Sequence, residues 1–462
     1  MVDVTVIGGG PAGPAAAIEA KKTGAQVILI ERESALGGIL KQCVHDGFGL
    51  GRFGERLSGP EYAGRFIRQF HELGIESVLQ AFVTAADRGE NGIFRLSVVT
   101  AGGIRMIETR AIVLATGCRE RTAQQVAIHG TRPAGVITAG TAQHYVNLMG
   151  VMPARRAVIL GSGDIGLIMA RRLTLEGAEV LGAYEILPKP SGLARNISQC
   201  LNDFDIPLTL SHTVTRVFGI DRLEAVEIAA VDDKLRPIPG TEQRVACDTL
   251  LLSVGLIPEN ELAEKLGVKL DAKTKGPVTD ETLQASVPGI FICGNSQRVF
   301  DLVDKVSDSG EAAGHNAALY AKGIKNYVNF KQPKSEVTAQ CKIEKDEIVC
   351  IVCPNSCVMK VDPVTGEVTG NRCPRGAAFS VSERTAPVRT VTTTVRTVFD
   401  EYPVLPVRTT GEVPKDRVKD VMSAVNQERL TRCVGAGDVV IPNILNLGVD
   451  IVATSGKLKG EQ

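Results

Sequence analysis

Val4-Thr5-Val6-Ile7-Gly8-Gly9-Gly10-Pro11-Ala12-Gly13 is the stretch that decides the fold. A short apolar strand runs into a G-x-G-x-x-G turn, in which Gly8 permits the tight bend, Gly10 lets the backbone approach a pyrophosphate and Gly13 allows helix and strand to pack closely. A helix is predicted to follow, and its first N–H groups and partial positive charge suit phosphates. Pro11 and Pro14 fall in its first turn, where proline is tolerated. The next strand, Gln26-Val27-Ile28-Leu29-Ile30, ends in Glu31, a carboxylate able to accept hydrogen bonds from ribose hydroxyls. Strand, turn, helix, strand and acid in this order predict a dinucleotide-binding α/β unit.

The pattern recurs. Ala157-Val158-Ile159-Leu160 leads into Gly161-Ser162-Gly163-Asp164-Ile165-Gly166, and the strand from Glu179 to Tyr184 ends at Glu185. Two Rossmann-type units are therefore expected. An acid at this strand end binds the 2′-hydroxyl of NAD and repels the 2′-phosphate of NADP. No arginine immediately follows Glu185, so the second site is expected to take NAD(H).

The rest of the chain sets bounds. Its 462 residues are enough for about three domains at roughly 100–200 residues each. Fifty-two basic and 52 acidic residues cancel, and aromatics are only 4%, which speaks against a nucleic-acid partner or a charged membrane surface. No run approaches the ~18 apolar residues of a membrane span, and the first ten residues read as strand and turn rather than as a secretion signal. A cytoplasmic location is the resulting expectation. Residues 326–340 are polar and Lys-rich and read as a linker, with Gln332-Pro333-Lys334-Ser335 as its turn-like centre.

The 11 cysteines are an odd number, favouring reduced or metal-bound thiols over disulfides. Cys350-x2-Cys353-x3-Cys357-x15-Cys373 carries the strongest signal. Three thiolates can converge from one loop, and the fourth returns after a hairpin-like excursion from Val361 to Gly370, turned by Asp362 to Gly366. Such a set suits a [4Fe–4S] cluster, with zinc as the alternative and plain reduced thiols as the third reading. The spacing is similar to the N-terminal cluster segment of molybdopterin oxidoreductases. Cys341 and Cys433 read as structural, and Cys43 as a small buried residue. Cys43 and Cys118 have no partner at C-x2-C or C-x4-C spacing, so a dithiol mechanism beside a flavin is disfavoured. Strands are expected from Val388 to Val398 and a helix from about Pro414 to Leu430, with proline in its first turn.

Ala111-Ile112-Val113-Leu114-Ala115-Thr116-Gly117 and Gly289-Ile290-Phe291-Ile292-Cys293-Gly294-Asn295 resemble two elements of the flavoproteins with two dinucleotide-binding domains. That resemblance makes the first site an FAD site. It implies contacts from Gly8, Gly10, Pro11, Ala12, Gly13, Glu31, Arg32, Gly38, Val83, Thr116, Gly117, Gly294 and Asn295. The family has an acid on the ribityl chain where this sequence has Asn295, which can still donate and accept. The strand Asp248 to Gly255 resembles the one that closes the inserted NAD domain. The implied layout is an FAD domain at 1–117 and 276–325, an NAD domain at 118–275, and a C-terminal α+β iron–sulfur domain at 341–462.

The stretches RPAGVITAGTAQHYVN, GSGDIGLIMARRLTLEGAEV, LLLSVGLIPENEL and GIFICGN…DLVDKVSDSGEAAG resemble an NAD/FAD oxidoreductase that partners anaerobic glycerol-3-phosphate dehydrogenase. The first is also similar to alpha subunits of sarcosine oxidase and hydrogen cyanide synthase. Residues 340–456 resemble a cysteine-containing domain of unknown function, often a separate subunit of such systems. The resemblance implies electron transfer between NAD(H), FAD and the cluster, in a hetero-oligomer with a glycerol-3-phosphate dehydrogenase-like flavoprotein. A self-sufficient NADH oxidase or reductase and a non-catalytic scaffold are the alternatives. The six histidines form no spaced pair, and no catalytic acid or base is assigned.

Overall fold

The computed structural model describes residues 1–331, 346–362 and 364–460. The linker centre Gln332 to Ser335, Cys341, and Pro363 of the hairpin turn lie outside the described residues. Two strand–helix–strand units recur as expected: β1 (Val2–Ile7), α1 (Ala12–Lys22) and β2 (Val27–Ile30), then β3 (Arg156–Leu160), α2 (Asp164–Leu175) and β4 (Glu179–Glu185). Three later helices matter below: α3 (Ala194–Cys200), α4 (Val303–Ala321) and α5 (Pro374–Thr385).

The chain divides into two compact units. Met1–Arg119 and the described part of Leu256–Ser335 make one; Glu120–Gly255 and the described part of Glu336–Lys459 make the other. In the first, β1 lies at the centre of a seven-stranded sheet, paired in parallel with β2 on one side and with Gly103–Leu114 on the other. Ile290–Ile292 adds in parallel to Gly103–Leu114, and Phe82–Arg88 and Phe94–Thr100 complete an antiparallel meander. Helices α1 and α4 cover one face. They approach to backbone contact because Gly310 and Gly314 have no side chains there: a Cβ on Gly310 would lie 2.3 Å from the Ala12 carbonyl oxygen, and one on Gly314 2.0 Å from that of Ala16.

In the second unit, β3 and β4 sit within a five-stranded parallel sheet, between Thr249–Leu252 and Leu208–Leu210. The C-terminal segment adds a three-stranded sheet and a five-stranded sheet, the latter built around Thr392–Thr397 and Val404–Thr409. It does not stand apart. Leu175 of α2 lies in one core with Val391, Val395, Leu405 and Val421. Buried Arg389 is bonded to both Asp203 and Glu383, and buried Arg172 reaches Thr394 at 3.0 Å. Shared apolar burial and guanidinium pairs thus join this α+β segment to the second Rossmann unit, where a separate domain at 341–462 was expected.

Three boundaries shift for local reasons. The chain rejoins the first unit at Leu256 rather than 276, since Glu259 N–H donates to the Gly117 carbonyl at 2.9 Å and Ala263 and Val268 enter the first core. The first unit also extends past 325: Asn316 grips Val328 through both N–H and C=O at 2.8 Å, and Phe330 N–H donates to the Glu281 carbonyl at 2.7 Å. The predicted helix from Pro414 is shorter, Val418–Gln427. Pro414 itself, at φ −53° and ψ 136°, pairs with Val388 in a short bridge, so its ring ends a strand instead of opening a helix.

Candidate functional site

The first turn has the geometry its glycines predict. Gly8 adopts φ 111°, and a Cβ there would lie 2.3 Å from the Ala115 carbonyl oxygen. A Cβ on Gly13 would lie 1.8 Å from the Gly8 oxygen. Gly10 differs, because nothing lies within 4 Å of its Cβ position. Its backbone faces an open cradle beside the first turn of α1, a turn that contains no acid to compete for its N–H groups. Pro11 caps that helix and Ala12 begins it. Gly38, at φ 51°, packs its Cα against Gly10, and Gly37 N–H donates to Gly9.

Glu31 is buried at the end of β2. One oxygen accepts the Gly9 N–H and the other accepts the Glu33 N–H at 2.8 Å. Each oxygen therefore keeps acceptor capacity, as a ribose diol requires. Thr116 donates its hydroxyl to the Glu259 carbonyl at 2.9 Å, and Gly117 follows at φ 75°. Gly294 N–H donates to Ser309 Oγ at 2.9 Å, and a Cβ on Gly294 would meet Ala12. Asn295 accepts the Phe300 N–H at 3.1 Å and directs its amide N–H to Cys118 Sγ at 3.6 Å. Arg32 is exposed, and Val83 lies half-buried in register with Val98, two residues beyond an Ala81 that is bonded to Glu31. The open cradle and the half-satisfied acid fit FAD.

Sequence reasoning missed the polar support behind this turn. Tyr62 donates to Ser307 at 2.9 Å, and Ser307 donates onward to the Pro11 carbonyl at 3.4 Å. Burial pushes the Tyr62 hydroxyl well above its ordinary range. The signal in the sequence was a serine, Ser307, set among the small residues of α4.

At the second turn, Glu185 is likewise buried at its strand end. It accepts the Ser162 N–H at 3.0 Å and the Leu187 N–H at 3.1 Å, the counterparts of Gly9 and Glu33. Two hydroxyls add to these, Ser162 at 2.5 Å and Ser191 at 3.1 Å. Asp164, first in α2, accepts the Leu193 N–H and the Asn196 amide, both at 2.8 Å. Gly161 and Gly166 close on Ser253, and half-buried Ile165 is the second residue of α2. Turn and strand-end acid repeat those of the first site and fit a nicotinamide dinucleotide.

The four cysteines cluster at the edge of the three-stranded sheet. Cys350 N–H donates to the Cys357 carbonyl at 2.8 Å, closing the loop. Burial raises the Cys350 thiol, and the neighbouring Cys353, Cys357 and Cys373 raise it further. Cys373 caps α5, where the Gly376 and Arg375 N–H groups stabilise its thiolate and lower it. Among the described residues, however, no group of three or more His, Cys, Asp or Glu side chains is arranged to hold a metal ion. The expected cluster or zinc gains no support from this arrangement. Cys43, Cys200 and Cys293 are buried and pushed up to about 12 by desolvation. Cys433, expected to be structural, is exposed: it follows the strand Arg429–Leu430 at the sheet's rim.

A family model, pyridine nucleotide-disulphide oxidoreductase, matches residues 2–310. The chain belongs to that family. A second model, a protein of unknown function (DUF1667), matches residues 374–455. The chain is 26% identical to one subunit of opine oxidase from Agrobacterium tumefaciens (strain Ach5), over 69% of this chain and 65% of that one. It is 28% identical to hydrogen cyanide synthase subunit HcnB of Pseudomonas protegens, over 63% and 65%. It thus spans about 65% of the length of these curated relatives. The fold is similar to thioredoxin reductase of Lactococcus lactis, with TM-score 0.57 and 20% identity over 70% of this chain and 100% of that one.

Within the family match the chain departs from the family's name. Cys43, Cys118, Cys200, Cys247 and Cys293 are its cysteines there, and none has a partner at dithiol spacing. Among the described residues no helix is long and apolar enough to cross a membrane.

Proposed function

We propose that this family member works at its own flavin, oxidising or reducing a small substrate with NAD(H) as the other partner. The observation that carries the reading is the doubled site: two glycine turns with buried strand-end acids, and, among the described residues, no paired cysteines beside either. When bound, FAD supplies the hydride and electron chemistry. The chain's residues position it. Gly8, Gly10, Pro11, Ala12 and Gly13 take the pyrophosphate, Glu31 the ribose, and Arg32, Gly38, Val83, Thr116, Gly117, Gly294 and Asn295 line the remainder. Gly161, Gly163, Asp164, Ile165, Gly166 and Glu185 take NAD(H). A cytoplasmic location goes with this reading. The test is anaerobic NADH addition followed by a small acceptor. Flavin bleaching and then multiple turnovers by the chain alone support it; bleaching without turnover on any acceptor counts against it.

A second reading is favoured by the four neighbouring thiols and by relatives that are themselves named as subunits. Here the chain passes electrons through a [4Fe–4S] cluster on Cys350, Cys353, Cys357 and Cys373 to a glycerol-3-phosphate dehydrogenase-like partner. Copurification with such a flavoprotein, and iron with sulfide in anaerobic protein, would support it; stoichiometric zinc without sulfide would remove it.

A further inference from the structure

The two strand-end carboxylates occupy equivalent places but are not equally committed. Glu31 accepts two backbone N–H groups, one per oxygen. Glu185 accepts the equivalent pair and then two serine hydroxyls, both on the oxygen that already holds the Ser162 N–H. A carboxylate oxygen offers about two lone-pair sites, so three donors exceed what Oε2 can serve well. The serines also hold one another: Ser191 N–H donates to Ser162 Oγ at 2.9 Å, and the two hydroxyls lie 3.2 Å apart. Glu185 and Ser162 are both buried, and Ser191 stands on the loop between β4 and α3 that carries Leu193 and Asn196 to Asp164.

We infer that Ser162 and Ser191 set the affinity of the second site by standing in for ribose hydroxyls at Glu185. This rests on reading the second turn as the NAD(H) site. A ribose diol that spans the carboxylate finds Oε1 holding one donor, the Leu187 N–H, but at Oε2 its 2′-hydroxyl must replace a serine hydroxyl rather than fill an empty acceptor position. The exchange trades one charge-assisted bond for another of the same kind, so the 2′-hydroxyl gains little. The serine pair keeps a buried carboxylate satisfied when no nucleotide is bound, which avoids the cost of an unpaired charge, and it holds the nucleotide loosely enough to be exchanged. Among the described residues the first site has no such pair, which suits a cofactor that stays.

The test is calorimetric titration of the oxidised, FAD-loaded full chain with NAD⁺ and with an NAD⁺ analogue lacking the adenosine 2′-hydroxyl. In wild type the two ligands should differ by less than about twofold. In Ser162→Ala/Ser191→Ala, NAD⁺ should bind about three- to tenfold more tightly, and removal of the 2′-hydroxyl should cost more than about fivefold, because the hydroxyl now fills a vacant acceptor. If NAD⁺ binds the double variant no more tightly and the 2′-hydroxyl matters no more than in wild type, the inference is overturned. Thermal unfolding and FAD content report folding. If the double variant does not fold, Ser191→Ala alone, which leaves the turn residue in place, should move both ligands in the same directions by smaller factors, and no movement overturns the inference. Wild-type binding that Glu185→Ala leaves unchanged would remove the NAD(H) reading and the inference together. Binding that depends on Glu185 but ignores the serines removes the inference alone.

Discussion

The middle glycines of the two turns meet different surroundings. At Gly10 a Cβ would enter open space; at Gly163 it would lie 2.8 Å from Ser253 Oγ. The helix after Gly10 starts without an acid, and the helix after Gly163 starts with Asp164, already bonded to Leu193 and Asn196. One motif therefore encloses two kinds of space, a roomy cradle in the first unit and a turn fastened by polar side chains in the second. The G-x-G-x-x-G pattern reports the backbone path, while the neighbouring side chains decide how much of the turn is left for a ligand.

The largest effect that could break this contrast is at Gly10. Gly10→Val should lose nearly all bound FAD while its apoprotein melts close to the wild-type apoprotein, since a Cβ there enters the cradle with no protein atom within 4 Å. Gly163→Val should lower thermal stability as well, by roughly 1–3 kcal/mol, because its side chain is forced onto Ser253. Flavin absorbance and melting curves of the two variants measure the difference, and equal destabilisation would erase the distinction.

Damage to the second unit should remain there. Single Ser substitutions at Cys350, Cys353, Cys357 or Cys373 are expected to leave FAD content unchanged, while any iron and sulfide in anaerobic protein fall to a minor fraction. Metal, sulfide and flavin analysis of the same samples would check this, and parallel loss of flavin would contradict the independence of the two units.

A smaller effect concerns nucleotide choice. Glu185 should give NADH at least about a tenfold advantage over NADPH in kcat/KM, and replacing the acid with Ala while adding an Arg beside it should shrink that advantage. Equal wild-type rates would break the assignment.

The smallest effect sharpens what the units share. Cys43 and Cys293 in the first and Cys200 in the second are each raised from 9.0 to about 12 by burial. The unfolded chain loses these protons first, so stability should be full below about pH 9 and decline as pH rises toward 12. Melting temperature across pH 8–11 would show the decline, with Cys43→Ala and Cys200→Ala each flattening it modestly.

Both Rossmann units, their strand-end acids and the hairpin between Val358 and Thr369 were legible in the sequence, because period, glycine spacing and turn residues act locally. The attachment of the C-terminal segment was not. It depends on Arg389 finding Asp203 and on Leu175 joining a distant core, pairings across some two hundred residues that no local pattern encodes. The serines around Glu185 were equally silent, since Ser191 reaches the acid only through the fold of its loop. Pro414 misled because proline is as well suited to ending an edge bridge as to opening a helix.

The seating of Gly310 and Gly314 on Ala12 and Ala16 has a consequence for biosynthesis. Helix α1 emerges from the ribosome almost three hundred residues before α4, its covering partner. At about 5–20 residues per second this gap lasts roughly 15–60 s. Through that interval the nascent flavin turn has a helix with one bare, alanine-lined side, and the whole inserted segment is made before the cover arrives. Cofactor capture is thereby tied to late translation, and truncation before residue 314 should yield chains that chaperones hold and flavin does not.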